Sequence, residues 1–206
     1  MTTVTHLEIL VEEPSMEMFL RGLLPRVIPE PRTFEVHSFQ GKSDLLSKLG
    51  QRLRGYASFL PRDWRLLIVI DRDDEDCKKL KKRLDEIARD AGLHVRGAAG
   101  KRQWQLVNRI AIEELEAWYF GDWQAVCTAY PRVNPNIPKQ AGYRDPDAIQ
   151  GGTWETLERV LKKHGYFKGG LPKMELARTL GAKLEPGHNC SKSFTHFHQA
   201  ISEVFL

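Results

Sequence analysis

The sequence predicts an α/β protein, a three-layer sandwich with a largely parallel sheet and a helical C-terminal extension. Three observations carry this expectation. Strand-like apolar runs alternate with amphipathic helical stretches through the first half of the chain, the order that builds β-α-β units. Leu66 to Ile70 is an unbroken apolar run rich in β-branched residues, as expected of a central strand covered on both faces. From Asp122 onward the pattern turns helical and loop-rich, with Pro131, Pro135, Pro138 and Pro146 interrupting it.

The elements follow in order. Val4 to Val11 forms the first strand and runs into Glu12-Glu13-Pro14, where the proline, whose fixed φ suits a first helical turn, opens a helix reaching Leu24. Thr33 to Phe39 reads as a second strand and Lys42 to Phe59 as a long helix, followed by the strand Arg65 to Ile70 and a helix from Glu75 to Ala91. A short strand near His94 and a longer one from Trp104 to Ile112 complete the sheet. Beyond it, helices are expected near Trp154 to Lys163, Pro172 to Leu180 and Ser191 to Val204. The chain thus divides into an α/β core, residues 1–122, and a helical extension, residues 123–206, packed as one compact unit.

With 206 residues, 41% hydrophobic and 28% charged, the chain has enough apolar material for one sizeable core. No apolar run approaches the length needed to span a bilayer, and the opening Met-Thr-Thr-Val-Thr-His lacks the basic and apolar regions of a secretory signal, so a cytoplasmic location is expected. Cys77, Cys127 and Cys190 are odd in number and far apart, which fits reduced structural thiols rather than a disulfide framework.

Chemistry gathers at strand ends. Asp71 terminates the apolar run, and if the extended backbone persists through Arg72, strand alternation points Asp73 the same way. Like charges in such a pair repel unless something cationic sits between them. Magnesium is the natural occupant, because this small hard ion takes oxygen ligands, keeps several waters and is held by one or two carboxylates. Asp74 and Asp76 read instead as caps of the following helix. Glu12 ends the first strand in the same way, and ligands of open α/β sheets bind outside the carboxyl ends of strands, although an acid here equally suits the N-terminus of the following helix. A third acidic group, Glu113, Glu114 and Glu116, follows the Trp104 to Ile112 strand, and a helix cannot aim all three at one point. Two readings stand for this segment: one or two of its acids line the site, or Leu115, Trp118 and Tyr119 form the buried stripe of a short amphipathic helix.

The net charge of +4 permits an anionic partner. Lys78, Lys79, Lys81, Lys82 and Arg83 lie on the helix after the acidic cluster, where a phosphate backbone has room to run, although Asp85 and Glu86 also continue it as an ordinary solvated face. Arg96, Lys101 and Arg102 form a second basic stretch among glycines and alanines. Lys173 and the segment Asn189 to Ser193 offer cationic and hydroxyl contacts to a phosphate, while Asn189 or Ser191 also reads as a helix cap. His188, Cys190, His196 and His198 have zinc-binding side chains at spacings that match no familiar zinc pattern.

Together these residues resemble the Toprim-like DUF4276 family, related to the Toprim nucleases of bacterial anti-phage systems such as the overcoming-lysogenization-defect enzymes. The resemblance rests on Leu10-Val11-Glu12 with Ser15, Glu17 and Phe19, on Asp71-Arg72-Asp73, on Glu114-Leu115-Glu116-Ala117-Trp118, and on Ser193-Phe194 with Phe197. It implies a site in which a first-strand glutamate and a later Asp-x-Asp hold magnesium (or manganese) during phosphodiester chemistry, here Glu12, Asp71 and Asp73. Glu114 and Glu116 would form an accessory element for a second metal. Toprim glutamates are commonly followed by glycine; here Glu13 and Pro14 follow, so either Glu12 or Glu13 faces the metal. The implied activity is that of a metal-dependent nuclease acting on DNA or RNA in anti-phage defence, beside a separately encoded ATPase. The alternative is a Toprim-like module without cleavage that binds nucleic acid or regulates an ATPase complex.

Overall fold

A computed structural model describes residues 3–97 and 104–206. Four strands form one sheet: β1 (His6–Val11), β2 (Thr33–Ser38), β3 (Trp64–Asp71) and β4 (Leu106–Ala111). The order is β2-β1-β3-β4 and every pairing is parallel. The first half supplies α1 (Pro14–Leu23), α2 (Lys42–Phe59) and α3 (Cys77–Asp90); the second half supplies α4 (Glu116–Gly121), α5 (Trp123–Ala129), α6 (Thr153–Lys163), α7 (Lys173–Gly181) and α8 (Lys192–Val204).

Alternation along the strands sorts the apolar residues onto two faces. Leu10, Leu66, Ile68, Ile70 and Leu106 face Leu45, Leu49 and Leu53 of α2 and Leu80 and Leu84 of α3. Leu7, Ile9, Val11, Leu67, Val69 and Val107 belong to the opposite, larger core, which takes in α1, α4, α7 and α8. The expected three layers are therefore present. The C-terminal helices supply much of one layer: Trp118 packs on Phe19, Phe194 and Phe197, and its indole N–H donates to Ser193 Oγ.

A strand near His94 was expected, but only an isolated parallel bridge from Val95 to Leu106 forms there. Gly92 and Gly97, at φ of 88° and 94°, bracket the segment in left-handed turns, leaving too little extended backbone between them for a ladder. The Asn189 to Ser193 segment takes the capping role: Ser191 Oγ accepts the Phe194 N–H, and Ser191 and Ser193 both donate to the Asp147 carboxylate.

The strand order places a topological switch between β1 and β3. The chain leaves β1 toward β2 on one side and leaves β3 toward β4 on the other, so the helices diverge and open a crevice beyond the carboxyl ends of these two neighbours. Val11 lies beside Val69, which brings Glu12 next to the end of β3.

A candidate metal site at the ends of β1 and β3

Asp71 is the last residue of β3 and is 7% exposed. Its main-chain N–H donates to Glu12 Oε2 at 3.2 Å, fixing a side chain from the neighbouring strand against it. Its own Oδ1 is buried with no hydrogen-bond partner among the described residues. A buried carboxylate oxygen without a partner is costly, and a proton or a bound cation would offset that cost. Burial, with the charges of Glu12 and Glu116 behind it, raises the Asp71 carboxyl well above the usual carboxylate range. Burial, and then Asp73, push Glu12 up to about 7.

The α4 segment completes one wall. Glu116 is 4% exposed; burial pushes its carboxyl to about 8, opposed by Lys173 and reinforced by Glu114. The Tyr119 hydroxyl is also buried without a hydrogen-bond partner among the described residues, and it faces the charges of Glu116 and Asp71. Glu13 adds negative potential to both Asp71 and Glu116, while its carboxylate accepts the Ser15 hydroxyl beside the start of α1.

Asp73 lies in the site by a different route from the one expected. Alternation through Arg72 does not hold, because Asp73 turns into the left-handed region at φ 50°, with its N–H donating to the Glu113 carbonyl. Its carboxylate pairs with Lys42 Nζ at 2.6 Å. The same ammonium reaches Glu75 Oε1 at 3.3 Å and donates to the Arg72 carbonyl at 3.1 Å. Burial works against the Lys42 charge, but Asp73 and Glu12 outweigh it and hold its pKa above the ordinary value. Lys42 was not singled out in the sequence. Glu113, also left-handed at φ 64°, is ion-paired with Arg72.

Glu114 points elsewhere. Its Oε2 accepts the Thr153 hydroxyl and the Trp154 N–H, both at 2.9 Å, and so caps α6. Lys173 stands at the head of α7 with its ammonium 4.4 Å from the centroid of the Trp154 ring, close enough for its charge to act on Glu116. Lys78 is exposed on the first turn of α3, whose N-cap is Asp76; Lys82 is exposed further along and pairs with Glu86. Arg96 is ion-paired with Glu203 of α8, away from the acidic crevice. Lys101 and Arg102 lie outside the described residues. Among the described residues no three His, Cys, Asp or Glu side chains converge as a ready-made metal cage, the histidines of the tail included.

The donor set nevertheless fits magnesium, which needs only one or two carboxylates and keeps waters on its other positions. Asp71 has an unsatisfied oxygen, Glu12 is hydrogen-bonded to its main chain, and Glu116 is buried and within electrostatic reach. No helix of the described residues is long and apolar enough to cross a membrane. Comparison with family profiles gives a match over residues 11–202 to a family described as a domain of unknown function, DUF4276. No curated protein and no solved structure matches the chain.

Proposed function

The chain belongs to the DUF4276 family, and from its acidic crevice we propose that it is a magnesium-dependent, Toprim-like nuclease that cleaves nucleic-acid phosphodiesters, working in anti-phage defence beside a separately encoded ATPase. The observation that carries this reading is the unpartnered Oδ1 of Asp71, buried at the switch point and flanked by Glu12 and Glu116. Asp71, with Glu116, would hold the ion, and Glu12 would either join them as a ligand or, left free of the ion, move a proton. A bound magnesium would polarise the scissile phosphate and lower the pKa of an attacking water.

The chain's own residues supply the rest. A carboxyl near 7, as at Glu12, exchanges a proton readily at neutral pH, the requirement for a general acid or base. The Asp71 N–H fixes the orientation of that carboxyl. Lys173, over the Trp154 ring, and Lys78, exposed on the first turn of α3, would present ammonium groups to a phosphate backbone.

The test is cleavage of plasmid, single-stranded DNA and total tRNA with magnesium or manganese, with any neighbouring ATPase included. Asp71→Ala is expected to lower cleavage on the order of a hundredfold or more while the protein stays folded by circular dichroism. Undiminished cleavage by that variant would sink the reading. A second reading, a non-cleaving subunit that binds nucleic acid or regulates an ATPase, draws on the capture of Asp73 by Lys42. Metal-independent binding with no cleavage by either protein, alone or with the ATPase, would favour it.

A further inference from the structure

We propose that the site takes one divalent cation, at Asp71, and that the Lys42 ammonium stands as its second cation, on the Asp73 side. This rests on the metal-dependent reading above. The acids of the crevice fall into two groups that differ in how their charge is met.

On one side, Lys42 Nζ has three oxygen partners: Asp73 at 2.6 Å, Glu75 at 3.3 Å and the Arg72 carbonyl at 3.1 Å. An ammonium has three donors, so this one is saturated. Its side chain is 16% exposed and is anchored at the first residue of α2, which starts beside β1 through the Gly41 N–H to the Glu12 carbonyl. The place a second hard ion would need next to Asp73 is therefore already held by a positive charge of the chain itself.

On the other side nothing comparable stands. Among the described residues no lysine or arginine comes within ion-pairing distance of Asp71 or Glu116, and Asp71 Oδ1 and the Tyr119 hydroxyl are both buried and unpartnered. Lys173 stays over the Trp154 ring at 4.4 Å rather than closing on Glu116. Glu114, the further acid a second metal would recruit, is committed to the N-terminus of α6. Buried carboxylates need a compensating charge, and one cation at Asp71 supplies it. Asp73 is paired with Lys42, and among the described residues no three acids converge on one point.

Manganese stoichiometry tests this independently of cleavage. Titrating the full chain with Mn²⁺ at pH 8, by calorimetry and by the electron paramagnetic resonance of free ion, is expected to give one ion per chain in the wild type. Asp71→Asn removes it, Lys42→Arg keeps it at one, and Lys42→Met raises it to two. Two ions in the wild type, or one in folded Lys42→Met, overturns the assignment of Lys42 and leaves the nuclease reading standing. No ion in the wild type overturns both.

Discussion

Asp71 meets two requirements that oppose each other. It directly follows the buried apolar run Leu66 to Ile70, yet its carboxylate is buried beside Glu12 and Glu116 with one oxygen unpartnered. Asp71→Asn removes the charge but keeps the shape. It is expected to stabilise the metal-free protein at pH 8 by about 1–3 kcal/mol in urea unfolding, while abolishing manganese uptake. Glu114 behaves in the reverse way. Because its oxygen caps α6, Glu114→Ala is expected to cost about 1 kcal/mol of stability and leave manganese stoichiometry unchanged; loss of the ion would return Glu114 to the metal site. At this scale the sequence was informative where the signal was local. The juxtaposition of Asp71 and Glu12 at neighbouring strand ends was legible because each follows an apolar run of the sequence. Asp73 was placed correctly in the crevice but by the wrong geometry, since a left-handed residue breaks alternation and no pattern in Asp71-Arg72-Asp73 announces it. Lys42 and Glu114 were misread or missed because their partners are far along the chain and only the folded sheet brings them together.

Two helices meet closely on the face of the sheet away from α2. A Cβ added to Gly181 would lie 2.2 Å from the Phe19 carbonyl oxygen, and one added to Gly22 would lie 2.9 Å from the Ala182 nitrogen. Glycine is required here by proximity, because α7 and α1 touch backbone to backbone. Gly181→Ala is accordingly expected to force the helices apart at a cost of about 1–3 kcal/mol, read from urea midpoints; an unchanged midpoint would show that α7 is free to move. The long elements were legible from period alone: the four strands and the helices α1, α2, α3, α6, α7 and α8 fall where the apolar pattern puts them. The short helices α4 and α5 and the bridge at Val95 were less so: Trp118 of α4 packs on Phe19 and Phe194, Trp123 of α5 stacks on Phe120, and paired glycines flank the bridge, with no sustained period in any of them. Ser193, Phe194 and Phe197, which carry part of the family resemblance, serve to seat α8 on Trp118.

Across the whole molecule the crevice sets how stability depends on pH. Glu12 and Glu116 have folded-state pKa values of about 7 and 8, above the ordinary carboxyl value of 4.5, and Asp71 is raised as well. The folded chain therefore holds protons that the unfolded chain has released, and stability falls as pH rises from about 4.5 through 8. The metal-free protein is expected to melt lower at pH 8.5 than at pH 5.5, by on the order of 5 °C, and magnesium is expected to restore more of the loss at the higher pH. A melting temperature that climbs between these two values would show that the crevice is not protonated as described. The parallel register also has a dynamic consequence. Because the Asp71 N–H is held by Glu12 rather than by a neighbouring strand, this one amide should report on the carboxylate that covers it. Deuterium uptake at Asp71 then serves as a clock for Glu12: slow while the carboxylate rests on the main chain, faster when an ion draws it away, against strand amides that keep their pace.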